Sequence, residues 1–294
     1  MLSNLENALE NIYISPLEKC NLNCRLCYTH KTKDLLTNKQ ILDFIEKYSQ
    51  KIDLKSVLFC GGEVFVLPGF PELVNRLIQS KIFITVITNG TLDRLAEIND
   101  PTNCQLLVSL DGPEKIHDQN RGTENFAKSI AFIKKALNLG FPTEVMFLIT
   151  QTSYPYRDSF PQSVSSLVNT HLNFNYITQK TNFFNPKLNA PGLTPEQILE
   201  IKRNYPSIPK RSFGCFQLSL QSNGLIYGCC ESPTPIAKMT DSVETIIESF
   251  KKSLVVCEGC SKKNCQGCCS PDFLCSYVKE LGIKNCREVV ELLR

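Results

Sequence analysis

Residues 11–27 read NIYISPLEKCNLNCRLC. The β-branched and aromatic run Asn11–Ser15 predicts a strand, and behind it Cys20, Cys24 and Cys27 stand on a loop in the spacing C-x3-C-x2-C. Three thiolates this close can wrap one corner of a cubic [4Fe–4S] cluster, whose full cysteine ligation takes four. A missing fourth ligand leaves one iron open, which is what substrate or cofactor chemistry requires. The spacing differs from the ferredoxin runs. A zinc knuckle that borrows a distant fourth ligand is the competing reading.

Outward from this loop, short strand-like runs alternate with helical patterns over the first 180 residues. The further strands are read at Ser56–Cys60, Ile82–Thr88, Cys104–Leu110, Glu144–Thr150 and Leu172–Thr178. Between most of them lie segments of helical spacing, such as Asn38–Gln50 (Ile41, Leu42, Ile45, Tyr48) and Glu124–Leu139 (Phe126, Ile130, Ile133, Leu137). Alternation of this kind predicts an α/β fold with a parallel sheet covered by helices, and six units make a partial (β/α)6 barrel. In such folds the chemistry gathers at the C-terminal ends of the strands. From Thr181 to Arg211 prolines and asparagines predict a linker with one short helix near Pro195–Lys202. A hairpin follows over Leu218–Tyr227, turning at Ser222-Asn223-Gly224, and then a helix over Val243–Lys252.

The cysteines sharpen the division. Of fifteen, three sit in the first loop and ten lie between Cys215 and Cys286. An odd count of this density, behind a first stretch (Met1–Glu10) without the pattern of a secretory signal, fits metal ligation better than a disulfide framework. Cys60 and Cys104 stand apart and read as small buried apolar residues. The formal charge of +3 gives no support for nucleic-acid binding, and pairs such as Lys134-Lys135 and Lys251-Lys252 read as solvated helix faces. No segment approaches the ~20 uninterrupted apolar residues of a membrane-spanning helix. The expectation is a soluble, cytoplasmic protein.

The strand ends carry further motifs. Cys60-Gly61-Gly62-Glu63 closes the second strand, Thr88-Asn89-Gly90 the third and Ser109-Leu110-Asp111-Gly112 the fourth, followed by His117-Asp118 and Arg121-Gly122. Each is weak alone: a Gly-Gly-Glu or Asn-Gly is usually a turn, and His117 alone reads as a surface or capping residue. Together and in order, with C-x3-C-x2-C ahead of them, they resemble the radical S-adenosylmethionine (SAM) superfamily over roughly residues 11–180. Gly61-Gly62-Glu63 looks like that family's Gly-Gly-Glu-Pro motif, with Val64 where proline is usual. The resemblance implies that Cys20, Cys24 and Cys27 hold the SAM-cleaving [4Fe–4S] cluster. It implies that Gly61 and Gly62 let the backbone approach a ligand, and that Glu63 accepts from the methionyl ammonium of SAM. Thr88, Asn89, Ser109, Asp111 and Arg121 would complete the cofactor site, with Ser109 and Arg121 on the methionyl or ribose part. An external low-potential donor would reduce the cluster, and a 5′-deoxyadenosyl radical would abstract hydrogen from the substrate.

Toward the C-terminus, Cys215, Gly224 and Cys229 read C-x8-G-x4-C, followed by Cys257-x2-Cys260-x4-Cys265-x3-Cys269 and Cys286. This resembles the SPASM extension of radical SAM enzymes that modify peptides and proteins, with two spacings one residue short. The resemblance implies two auxiliary [4Fe–4S] clusters. Cys257, Cys260, Cys265 and Cys286 would hold the outer one, and Cys215, Cys229 and Cys269 the inner one. Cys230, Cys268 and Cys275 are left over, and Cys275 competes with Cys286. A zinc site on Cys257, Cys260, Cys265 and Cys268 is the alternative. The expected organisation is a radical SAM partial barrel over 1–180, a linker over 181–212 and a small cysteine-rich auxiliary-cluster domain over 213–294.

Residues Cys230-Glu231 stand where sulfatase-maturing relatives place an aspartate, which weakens a formylglycine-forming reading. With Cys20 so near the start, no precursor-binding domain is expected ahead of the barrel. Either a separate protein presents the peptide or the substrate is something else. The expected activity is oxidation or crosslinking of a peptide or protein side chain. The alternatives are a dehydrogenase of a small molecule such as a sugar alcohol, and an iron–sulfur carrier or scaffold without turnover.

Overall fold

A computed structural model describes residues 9–27, 29, 31–178, 192–205, 217–228, 230 and 235–256. The six expected strands form: β1 Asn11–Ile14, β2 Ser56–Phe59, β3 Phe83–Thr88, β4 Cys104–Leu110, β5 Thr143–Ile149 and β6 Phe174–Thr178. They pair in parallel in the order β6-β5-β4-β3-β2-β1. A parallel strand is covered on both faces and so reads as a nearly continuous apolar run. In β2 all four residues, Ser56 to Phe59, are buried. The sheet is open: among the described residues no strand joins β6 to the other end. This is the partial barrel that the strand–helix alternation predicts.

Four of the five connections between these strands are helical, as the alternation predicts. Between β1 and β2 lies α1, Asn38–Ser49, which buries Ile41, Phe44, Ile45 and Tyr48. It starts at a capping box in which Thr37 accepts from the Gln40 amide and the Gln40 side chain answers to the Thr37 amide, an arrangement whose loss typically costs about 1 kcal/mol. Between β2 and β3 lies α2, Phe70–Gln79. Between β4 and β5 lie α3, Glu114–Arg121, and α4, Asn125–Asn138, separated at Gly122. Then α5, Ser159–Val168, leads into β6. The link from β3 to β4 departs from the alternation. It carries only two 3-10 turns, Leu95–Glu97 and Pro101–Asn103, because Asn99-Asp100-Pro101 stops any longer helix.

The sheet continues past β1. The hairpin expected at 218–227 forms as β7 Ser219–Leu220 and β8 Leu225–Tyr227, and β7 pairs in parallel with β1. β8 and then β9, Ala237–Lys238, continue the sheet antiparallel. The short linker helix is α6, Pro195–Asn204, capped by Thr194 and Gln197, and the last described helix is α7, Val243–Val256. Residues 181–191 and 206–212 of the linker lie outside the described residues. So do Cys215, Cys229, Cys257, Cys260, Cys265, Cys268, Cys269, Cys275 and Cys286. Cys60 and Cys104 are buried as small apolar residues, and both lysine pairs sit on exposed helix surface. No helix among the described residues is long and apolar enough to cross a membrane.

Candidate active site around the cysteine loop

The loop from β1 to α1 is pinched at its base. Leu17 and Leu35 form an antiparallel bridge, and the Leu36 amide donates to the Pro16 carbonyl at 2.8 Å. The chain between them, with all three cysteines, projects from the C-terminal end of β1, where parallel α/β folds carry their chemistry.

Gly61-Gly62 packs against the stem of this loop. The Gly62 amide donates to the Leu17 carbonyl at 2.8 Å and the Glu63 amide to the Lys19 carbonyl at 3.1 Å. A Cβ on Gly62 would lie 2.2 Å from the Lys19 carbonyl oxygen, and one on Gly61 2.3 Å from that of Leu17. The glycine pair is therefore demanded first by the close approach of two backbones within the protein. Val64 is fully buried at the start of a 3-10 turn, Val64–Val66. An apolar residue there serves the core where proline would serve loop rigidity.

Glu63 is 1% exposed. Its carboxylate accepts from Thr88 Oγ1 at 2.9 Å, from the Asn89 amide at 2.8 Å and from the Phe65 amide at 3.2 Å. Burial pushes this carboxyl up, against the lowering effect of those three donors. Both oxygens are engaged inside the protein, where they tie the end of β3 to the end of β2. Asn89 then reaches the cysteine loop: its Nδ2 donates to Asn21 Oδ1 at 3.0 Å and to Cys20 Sγ at 3.7 Å. Asn21 returns a bond to Thr91 Oγ1 at 2.8 Å.

A second group closes from β4 and α3. Asp111 and Arg121 form a two-pronged ion pair at 2.8 Å on each prong. Burial alone would push the Asp111 carboxyl up, but the Arg121 guanidinium reverses this and holds it below the usual carboxylate range. Asn120 hydrogen-bonds to the same carboxylate. His117, read from sequence as a surface or capping residue, is instead fully buried. It packs edge-on to Phe126 and accepts the Asp111 amide at Nδ1, 3.3 Å away. Its Nε2 has no hydrogen-bond partner among the described residues. Burial depresses its pKa to about 4, so the ring is neutral at pH 7. Ser109 is half-buried on β4 beside Met146 of β5.

The three cysteines are half-buried and within electrostatic reach of one another. Burial pushes the Cys24 thiol up to about 11, with Arg121 opposing the rise. At neutral pH that thiol keeps its proton until a metal displaces it. Among the described residues no trio of His, Cys, Asp or Glu converges on a single metal-sized point. Each thiolate of a cubic cluster binds its own iron, so three thiols gathered on one loop supply three of its ligands. The donor set fits an iron–sulfur cluster. Asn21, Thr91 and Asn120 were not legible as site residues. No local motif marks them, and only the fold brings them to the loop.

Residues 14–154 match the family described as the radical SAM superfamily. Two curated relatives are the sporulation killing factor maturation protein SkfB of Bacillus subtilis (strain 168) and the GTP 3′,8-cyclase of Microcystis aeruginosa. SkfB is 29% identical over 143 residues, 46% of this chain and 34% of that protein. The cyclase is 27% identical over 150 residues, 46% of each chain. The chain thus spans less than half the length of either of these curated relatives. Among solved structures, Streptococcus suis SuiB bound to precursor peptide SuiA superposes with a TM-score of 0.68 at 14% identity, over 94% of this chain and 74% of that one. That likeness is one of fold.

Proposed function

From the radical SAM domain that residues 14–154 form, we propose that this protein oxidises or crosslinks a peptide or protein side chain by hydrogen abstraction. The observation that carries the reading is the cysteine loop itself. Cys20, Cys24 and Cys27 sit at the C-terminal pole of the parallel sheet, suspended between Asn89 on one side and Asn120 on the other. When bound there, a [4Fe–4S] cluster and SAM supply reductive cleavage to methionine and a 5′-deoxyadenosyl radical, the electron coming from an external low-potential donor. The protein's part is to hold the three ligands, orient SAM and keep water out. Glu63 holds the β3 turn in register with the loop. Arg121 places a cation beside Cys24 and Cys27, where it can balance thiolate charge or meet the carboxylate of SAM. Thr88, Ser109 and Asp111 line the same strand ends and complete the proposed SAM site with Gly61 and Gly62.

A peptide substrate is supported by the maturation role in SkfB's name and the precursor peptide bound by SuiB. The C-terminal cysteine spacing supports two auxiliary clusters in a SPASM-like region over 213–294, after a linker over 181–212. Cys257, Cys260, Cys265 and Cys286 are proposed for one and Cys215, Cys229 and Cys269 for the other. These requirements suit a reducing compartment such as the cytoplasm. A second reading, radical chemistry on a small molecule, is favoured by the similarity to a GTP 3′,8-cyclase.

The test is anaerobic reconstitution with iron and sulfide, addition of dithionite and SAM, and measurement of 5′-deoxyadenosine, with Cys24→Ala alongside. Production that disappears in the variant supports the reading. A well-loaded protein that neither binds SAM nor yields 5′-deoxyadenosine makes a carrier or scaffold the better description.

A further inference from the structure

The cysteine loop has two mounts, and they are built differently. Its first half hangs on β3 through Asn89, which contacts Asn21 and Cys20. Among the described residues, the amides of its second half that bond outside the loop go to the end of α3, and there one residue makes the attachment. The Asn120 carbonyl accepts from the Arg25 amide at 2.7 Å. Its Oδ1 accepts from the Leu26 amide at 2.8 Å, and its Nδ2 donates to Asp111 Oδ2. We infer that Asn120 is the positioning residue for the Cys24–Cys27 segment, holding those two cysteines at a set distance from the Asp111–Arg121 ion pair. This rests on the radical SAM reading of the loop.

The chemistry of each contact supports it. The last carbonyls of a helix have no partner within the helix and need one outside it. At the end of α3, Gly122 turns back to Asp118 and the Asn125 side chain takes the Arg121 carbonyl. The Asn120 carbonyl is thereby left to the loop. The side chain then takes the next loop amide, so two consecutive N–H groups between Cys24 and Cys27 end on one residue. Within that segment the backbone bond is a single long one, Cys27 N to Cys24 O at 3.3 Å. Asn120 is 8% exposed, so these bonds are sheltered from water. Asparagine alone supplies an acceptor for Leu26 and a donor for Asp111 from one short planar group. Aspartate has the shape but would set a second carboxylate against Asp111, and alanine has neither group. A ligand segment held before iron arrives loses less freedom on binding, and residues behind metal ligands typically alter metal retention by 10–100-fold.

The experiment compares the full-length chain with Asn120→Ala and Asn120→Asp. Backbone amide exchange is measured before reconstitution, and cluster loss to an iron chelator after it. In Asn120→Ala, exchange at Leu26 should rise roughly tenfold, while Val108 in the core of β4 keeps its protection. Cluster loss should be roughly tenfold faster, and the reduced cluster's paramagnetic resonance signal should broaden. Asn120→Asp keeps the Leu26 acceptor and should fall between the two. Unchanged exchange at Leu26, or changed exchange with unchanged cluster loss, overturns the inference. If Asn120→Ala exposes Val108 as well, Asn120→Asp decides. Its cluster must then be lost faster than in the parent chain with Val108 protected, and parent-like retention overturns the inference. A parent chain that holds no cluster at all sinks the radical SAM reading, and with it a ligand-positioning role for Asn120. The Leu26 exchange would then report only a structural tether.

Discussion

Arg121 Nε and Nη2 each lie 2.8 Å from an oxygen of Asp111, whose side chain is 1% exposed. The pair spans the end of β4 and the end of α3, and Asn120 carries it to the cysteine loop. A buried charge keeps its place only while its partner is present. Asp111→Ala strands the Arg121 guanidinium, and such single removals typically cost about 3–5 kcal/mol. Chemical denaturation of the protein before reconstitution should show a loss of that size. Arg121→Met should cost as much in the other direction by stranding Asp111, and the double variant should lose less than the sum.

Stability should fall on acidification because His117 is buried neutral. The imidazole ionises near 6.5 in the unfolded chain and only near 4 when folded. A depressed folded pKa gives stability that is complete above pH 6.5 and is lost as pH falls toward 4. The full drop is roughly 3 kcal/mol at the usual 1.4 kcal/mol per pH unit. Asp111, also depressed, adds a loss at still lower pH. His117→Asn, whose Oδ1 can accept the Asp111 amide as Nδ1 does, should flatten the curve between pH 6.5 and 4. Melting temperatures measured against pH for the two proteins check this.

Gly62→Ala should damage the cysteine loop directly. The added Cβ meets the carbonyl oxygens of Lys19 and Glu18 at 2.2 and 2.5 Å, and backbone cannot swing aside as a side chain can. A cost of about 3 kcal/mol is expected, at the upper end for overpacking. Iron content after reconstitution should fall with it. A variant with parent-like iron and stability would show that the Lys19 backbone yields easily.

The clasp on α6 should be separable from the site. Arg157 reaches Glu200 of that helix at 2.8 Å and lies over the Tyr154 ring 4.3 Å away, while Tyr154 hydrogen-bonds to Glu200. The groups are partly exposed, so Glu200→Ala should cost only about 1 kcal/mol. It should speed tryptic cleavage near Lys202 and leave iron content unchanged.

Much was legible along the chain. All six parallel strands were found to within two residues, because a doubly covered strand is a short apolar run bounded by turn residues. The cysteine spacing was equally plain. The missing β3–β4 helix is visible afterwards in Asn99-Asp100-Pro101, but helical alternation elsewhere masked it. The role of Gly61-Gly62 was read toward a ligand, while the structure sets the pair first against the Leu17–Lys19 backbone. That partner lies more than 40 residues away in sequence and leaves no local trace.

By itself, then, the sequence determined which elements form and which residue types gather after each strand, since periodicity, caps and cysteine spacing are local properties of the chain. The tertiary structure decided what those residues bond to. It buried His117 beside Asp111, gave the Glu63 carboxylate to Thr88 and Asn89, and joined the late hairpin to β1. It also brought Asn120 against a loop 94 residues earlier in the chain. The reason is physical: a hydrogen-bond partner is chosen by distance in the folded sheet, and parallel strands bring together ends that are far apart in sequence.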